Sequence, residues 1–186
     1  IVVVSGLPRS GTSMMMQMLT AGGIEPMTDG LRTADDSNPQ GYYELEKVKD
    51  LEKTPDKTWL RDARGKAVKI IAFLMQHLPE TLNYKVVFMN RRLDEVLASQ
   101  TKMLDKLGED TATEDPRMRE LYIDHLARTK SLLRYRPCFD VLHVTYRDVI
   151  EDGSTHADQL NRFLGGRLDA QAMAAVVDPE LYRNRS

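Results

Sequence analysis

The sequence predicts an α/β fold in which a parallel β-sheet is flanked by helices. Three observations support this fold class. The chain opens on an apolar, β-branched run at residues 1–4 that leads into a glycine-containing loop and a helix. Three more segments have strand composition, at residues 67–73, 84–89 and 139–146. Helical patterns separate these segments, so the strands are expected to pair in parallel and to present ligands at their carboxyl ends.

The elements between the strands have local signals of their own. Gly22 and Gly23 end the first helix, which is rich in methionine, and we interpret these methionines as core filler. Residues 24–27 read as a short second strand, 28–41 as a long polar loop and 42–53 as a helix.

The second half of the chain is more strongly periodic. Apolar residues recur at helical spacing over residues 93–107, and Gly108 follows as a stop. Pro116 opens a second long helix that is predicted to run to residue 134. Shorter helices are predicted over 155–164 and 169–176.

The composition is that of an ordinary globular protein. The 186 residues are 41% hydrophobic and 29% charged, which predicts a single domain over 1–186. A net charge of −2 gives no overall attraction to nucleic acid or to anionic membranes, so any anion site must be local.

The sequence also argues against several classes of site. No apolar run approaches the roughly 20 residues that span a bilayer, so no membrane span is predicted. Cys138 is the only cysteine, which favours a reducing, cytoplasmic location and a role as a small hydrophobe rather than a nucleophile. The four histidines show no ligand spacing, and no metal site is predicted.

The loop at residues 5–13, Ser-Gly-Leu-Pro-Arg-Ser-Gly-Thr-Ser, indicates a phosphate site. The spacing from Gly6 to Gly11 matches a P-loop, in which backbone amides and a helix N-terminus surround phosphate. The position after Gly11 is Thr12, where a nucleotide triphosphatase carries its lysine. The cation lies in the loop instead, as Arg9, which implies a different anion.

Residues 8–13 resemble the loop that binds the 5′-phosphosulfate of 3′-phosphoadenosine 5′-phosphosulfate (PAPS) in sulfotransferases, where lysine or arginine fills this loop position. The resemblance implies a P-loop nucleotide-hydrolase-like fold and PAPS as cofactor. It assigns cofactor binding to five consecutive residues of the loop and helix start: Arg9, Ser10, Gly11, Thr12 and Ser13.

Two later segments resemble the same family. The strand at 84–89 runs into Asn90 and Arg91 rather than into a magnesium-binding aspartate, which favours a metal-free site. Arg91 and Ser99, eight positions apart, are similar to the sulfotransferase pair that binds the 3′-phosphate. Tyr146, in a segment starting at Val144, resembles the tyrosine near the nucleotide, and aromatic rings stack well on bases.

The resemblance implies transfer of a sulfuryl group to an acceptor hydroxyl or amine, with Arg9 stabilising the developing charge. Lys69 interrupts an apolar strand at a position that sulfotransferases place near the transferred group. Many members carry a histidine base close to this point, and this strand has none. Glu44 is our candidate base, with Glu46 and His77 as substitutes.

Other interpretations stay open. Lys69, Glu44 and the Arg91–Ser99 pair each also fit ordinary structural roles. The family's basic C-terminal motif is not evident, although Arg183 and Arg185 could replace it. The alternative functions are a P-loop small-molecule kinase and a non-catalytic nucleotide-binding module. The acceptor could be a sugar, a lipid, a small-molecule phenol or a peptide.

Overall fold

A computed structural model describes residues 1–30, 43–107 and 116–178 of the chain. Its centre is a parallel sheet with the strand order β2-β1-β3-β4. The strands are β1 Val2–Gly6, β2 Ala67–Lys69, β3 Tyr84–Asn90 and β4 Phe139–Thr145. β1 lies between β2 and β3 and pairs with both, as in the registers Val4↔Lys69 and Gly6↔Met89. The predicted α/β class with a parallel sheet is therefore confirmed.

Helices cover both faces of this sheet. The α-helices in the described ranges are α1 Thr12–Ala21, α2 Glu46–Lys49, α3 Leu93–Leu107, α4 Pro116–Tyr135, α5 Tyr146–Glu151, α6 Gly153–Phe163 and α7 Ala170–Ala175. Two 3₁₀ helices, Thr58–Ala63 and Ala72–His77, flank β2 in the sequence.

Alternation along the strands divides the core into two halves. Val4, Val87 and Met89 point to a cluster built with α1, α5, α6 and α7. Val3, Val86 and their alternating neighbours point to a cluster built with α2, α4 and both 3₁₀ helices. Strands buried on both faces read as continuous apolar runs, which explains why β1 and β3 were recognisable. The interpretation of the α1 methionines as core is confirmed for three of them, Met15, Met16 and Met18.

Four predicted boundaries were wrong. Residues 24–27 form only an isolated bridge, Pro26↔Ala67, in which the Ala67 amide donates to the Glu25 carbonyl oxygen and the Met27 amide donates to the Ala67 carbonyl oxygen. β2 stops at Lys69, and the chain turns into a 3₁₀ helix rather than continuing to residue 73. Within the described residues 43–53, the helix predicted over 42–53 is limited to α2, and Tyr43 before it has a left-handed backbone with φ of 51°. β4 ends at Thr145, and Tyr146 begins α5.

Other predicted elements agree closely with the structure. α3 has the predicted bounds, and α4, α6 and α7 lie within two residues of theirs. Cys138 is buried, and burial raises the pKa of its thiol, in keeping with a hydrophobic role. None of the helices in the described part of the chain is long and apolar enough to cross a membrane.

Candidate active site

The candidate site lies at the carboxyl ends of β1 and β3. The chain leaves β1 toward β2 on one side of the sheet, and it leaves β3 toward β4 on the other side. These two connections therefore diverge between β1 and β3. Such a switch point leaves a crevice in open α/β sheets. The β1–β3 ladder ends at Gly6↔Met89, which places the loop after β1 beside Asn90 and Arg91 after β3.

Two glycines let the backbone of this loop pass close to its neighbours. A Cβ on Gly6 would overlap the Ser10 hydroxyl and lie 2.8 Å from the Met89 carbonyl oxygen. Gly11 is left-handed, with φ of 94°, and a Cβ there would overlap the Tyr146 ring. These contacts require glycine at both ends of the loop.

The loop also bonds to itself. The Ser10 amide and hydroxyl both donate to the Leu7 carbonyl oxygen, at 3.2 and 2.7 Å. Ser10 therefore shapes the loop, and contact between its side chain and phosphate stays a prediction. Gly11 precedes α1, whose first turn contains no acidic side chain. The first amides of a helix have no partner within it, so this end of α1 favours an anion.

Arg9 and Ser99, which are 90 positions apart in the chain, are in direct contact. The Arg9 Nε atom donates to Ser99 Oγ at 3.1 Å. The backbone of Arg9 is left-handed, with φ of 66°, an uncommon conformation for a residue with a side chain. Its carbonyl oxygen accepts a hydrogen bond from Arg91 Nη1 at 3.0 Å. The structure thus brings together the residues predicted to bind the 5′ and 3′ ends of the nucleotide.

The Arg91 guanidinium is held on two further sides. Its Nε donates to Glu95 Oε2 at 2.9 Å, and its Cζ lies 4.4 Å from the centroid of the Tyr146 ring. The Arg91 and Glu95 side chains are only 8% and 3% exposed. Removing one partner of such a pair leaves a buried charge and typically costs about 3–5 kcal/mol. Tyr146 is 5% exposed, so its ring packs between Gly11 and Arg91.

The two other predicted catalytic residues also meet. Lys69 Nζ lies 3.6 Å from Glu44 Oε1, and the two side chains are 9% and 25% exposed. Lys69 follows Val68 on β2 and so shares the sheet face of Ala67 and Val4, where α1 packs.

The backbone around Glu44 is held by two residues that sequence reasoning missed. Thr28 Oγ1 donates to the Glu44 carbonyl oxygen at 2.8 Å, and Asp29 Oδ2 accepts from the Glu46 amide at 2.6 Å. Tyr43 has a left-handed backbone, and its side chain packs against the core cluster that is built with α1. No sequence signal links residues 28–29 to Glu44, because the contact is long-range.

Comparison with known proteins identifies the family. The sequence matches the family model described as Sulfotransferase domain over residues 1–180. The chain belongs to the sulfotransferase domain family. A search among curated protein sequences finds no significant match.

Three solved structures share the fold of this sulfotransferase domain. A retinol dehydratase in complex with androsterone and the inactive cofactor PAP is 18% identical with a TM-score of 0.57, covering 98% of this chain and 65% of its own. A mouse sulfotransferase complexed with PAP is 15% identical with a TM-score of 0.54, covering 95% and 62%. The sulfotransferase domain of the Synechococcus PCC 7002 olefin synthase is 18% identical with a TM-score of 0.57, covering 100% and 83%. The chain thus spans less than two thirds of the first two proteins.

Among the described residues of this sulfotransferase domain, no group of three or more histidine, cysteine or carboxylate side chains could hold a metal ion. At the end of β3, Asn90 Nδ2 donates to the Phe88 carbonyl oxygen, 3.3 Å away. Of the two substitutes for the base, Glu46 pairs with Lys49 in solvent, and His77 ends a 3₁₀ helix. Arg183 and Arg185 lie outside the described residues.

Glu95 is the other site residue that sequence reasoning passed over. An acidic residue in the first turn of a helix is also favoured by the helix dipole, so its position alone does not indicate a site. Its spacing of four from Arg91 is the signal that could have identified the ion pair.

Proposed function

We propose that this sulfotransferase domain moves a sulfuryl group from PAPS to an acceptor hydroxyl or amine, as one domain over residues 1–186. The observation that supports this best is the cationic cluster around the loop. Beside the N-terminus of α1, the Arg9 side chain donates a hydrogen bond to Ser99, and the Arg9 carbonyl oxygen accepts one from Arg91. A nucleotide with a phosphate group at each end would therefore have a cationic partner for each group in this cluster.

The loop fits a 5′-phosphosulfate. The backbone passes closely at Gly6 and Gly11, and α1 brings no carboxylate in its first turn. The anionic end of the donor would be held by the amides at the start of α1, the hydroxyls of Thr12 and Ser13, and the Arg9 guanidinium. Arg91 and Ser99 would hold the 3′-phosphate, and Tyr146 would lie near the nucleotide.

When bound, PAPS supplies the sulfuryl group and PAP is the product that leaves. Glu44 would accept the proton of the acceptor hydroxyl, which would make that oxygen a better nucleophile. Protonation of Glu44 removes the negative charge that faces Lys69 at 3.6 Å. The Lys69 ammonium would then stabilise negative charge on the departing phosphate.

Two titrations test the donor assignment. One uses adenosine 3′,5′-bisphosphate (PAP), and the other uses ATP with magnesium. We expect binding of PAP in preference to ATP with magnesium, and at least about tenfold weaker PAP binding for both Arg9→Ala and Arg91→Ala, since each removes a charge-assisted contact. Preference for ATP with magnesium would favour the small-molecule kinase, and unchanged PAP affinity in both variants would contradict the proposed site.

A second experiment separates catalysis from binding. Glu44→Gln and Lys69→Met are assayed for transfer from PAPS to a panel of sugar, lipid, phenol and peptide acceptors. We expect both to lose turnover while PAP affinity stays near that of the wild type, and Glu52→Gln serves as the control at an exposed carboxylate. A PAP-binding protein without turnover on any acceptor would favour the non-catalytic module. The cytoplasmic location stays a prediction from the lone cysteine.

A further inference from the structure

Arg91 joins three separate parts of the candidate site. It follows β3, its Nη1 atom donates to the carbonyl oxygen of Arg9 in the loop, and its guanidinium faces Tyr146 at the start of α5. These contacts need one orientation of a long, rotatable side chain. Whatever orients the guanidinium plane therefore also helps to hold the loop.

Glu95 holds the Arg91 guanidinium at its Nε atom. It lies in the first turn of α3, and its carboxylate accepts from Arg91 Nε at 2.9 Å while only 3% of the side chain is exposed. With Nε directed to Glu95, the Nη1 edge of the guanidinium turns toward the Arg9 carbonyl oxygen at 3.0 Å. A charge-assisted bond between buried groups is stronger and less screened than a surface pair.

The loop conformation needs this support. Arg9 has φ of 66°, a conformation that costs free energy unless surrounding contacts hold it. α3 holds Arg9 at two points: Ser99 contacts its side chain, and Glu95 reaches its carbonyl oxygen through Arg91. Glu95 and Ser99 lie one helical turn apart, so both face the same loop.

We infer that Glu95 is a positioning residue that acts through Arg91 to hold the phosphate loop in its anion-binding conformation. This inference rests on the proposed donor site. It separates two roles of Arg91. If Arg91 served only as a ligand for the 3′-phosphate, Glu95 would matter only for nucleotides that carry this group. If the Glu95–Arg91 pair shapes the loop, Glu95 matters equally for nucleotides that lack it.

The test compares two ligands by calorimetry: adenosine 3′,5′-bisphosphate, and adenosine 5′-phosphosulfate, which has no 3′-phosphate. For Glu95→Gln we expect both affinities to fall by a similar factor of about ten or more, because the charge that orients Arg91 is lost. The matched control is Glu151→Gln. Glu151 accepts from Arg147 Nε at 2.7 Å with the same spacing of four, but both side chains are more than half exposed. We expect this control to change neither affinity.

Arg91→Lys provides a second variant, with thermal unfolding used to check that each protein is folded. Lysine keeps a positive charge for the 3′-phosphate, but its single ammonium lacks the planar fork that bonds Glu95 and the Arg9 carbonyl oxygen together. We expect it to weaken adenosine 5′-phosphosulfate binding as well. If Glu95→Gln does not fold, this variant alone decides the question.

The outcomes separate the two proposals. A loss confined to the bisphosphate in Glu95→Gln or Arg91→Lys would overturn the positioning role, and so would unchanged affinity for both ligands while Arg9→Ala still binds weakly. Failure of the wild-type protein to bind either nucleotide would instead overturn the proposed function on which the inference rests.

Discussion

Replacement of Gly11 by alanine tests how tightly the loop at residues 5–13 packs on Tyr146. Two separate costs are expected. Gly11 has φ of 94°, in the left-handed region where a side chain costs about 1–2 kcal/mol. The new methyl group would also overlap the Tyr146 ring and lie 2.9 Å from its Cε2 atom. Overpacking of this kind adds about 1–3 kcal/mol. The free energy of unfolding should therefore fall by about 2–5 kcal/mol.

Gly23 offers a matched control just beyond the other end of α1. Its φ is 101°, but no heavy atom lies within 4 Å of a Cβ built there. Gly23→Ala should therefore lower the free energy of unfolding by only the conformational cost of about 1–2 kcal/mol. Alanine also restricts the unfolded chain to the same degree in both variants, so this contribution cancels in the comparison.

Urea denaturation of the wild type and both variants gives the two free-energy losses, and calorimetry gives their affinity for PAP. We expect the larger loss of stability for Gly11→Ala, together with at least about tenfold weaker PAP binding because the loop is displaced. Gly23→Ala should bind PAP like the wild type. Equal losses of stability with unchanged PAP affinity would refute the reasoning, because the Tyr146 ring would then yield to the methyl group at no cost.

Three further predictions follow from local contacts. Thr28→Val removes the hydroxyl that holds the Glu44 backbone, so kcat should fall several-fold while PAP affinity stays unchanged. Thr28→Ser keeps the hydroxyl and should keep the wild-type kcat. Equal kcat values for the two variants would contradict a role of this hydroxyl in positioning Glu44. Asp152 caps α6 by accepting from the Thr155 amide, and this bond holds the pKa of the carboxyl below its ordinary value of 3.8. Its stabilising effect is therefore present above that pH and lost as the pH falls through the lower folded value. Asp152→Ala should accordingly lower Tm at pH 7, and the difference from wild type should shrink near pH 3. Burial raises the pKa of the Cys138 thiol, so a thiol reagent at pH 8 should modify the folded protein slowly and the urea-unfolded protein fast.

Local sequence determined the elements that are closest to the site. An apolar β-branched run next to two glycines specifies the strand, loop and helix start at residues 2–21, because each of these preferences acts between neighbours along the chain. The same holds for α3, whose apolar periodicity defines its bounds. Family resemblance then predicted Arg9, Arg91, Ser99 and Tyr146 as site residues, and the structure places these four residues in contact with one another.

The sequence did not reveal the conformation of two short segments, the one around Tyr43 and the one at the end of β2. Tyr43 is left-handed and β2 stops at Lys69, and neither feature follows from propensity. Both depend on packing against residues far away in the chain, which overrides weak local preferences.

The sequence by itself thus determined the glycine-containing loop after β1, the main strands and the family to which the chain belongs. Only the tertiary structure decided that Lys69 pairs with Glu44, that Thr28 holds the Glu44 backbone and that Glu95 reaches the loop through Arg91. The physical reason is the order of the sheet. Parallel pairing of β1 with β2 and β3 brings the ends of distant strands together, and neither strand order nor register is encoded in any single segment.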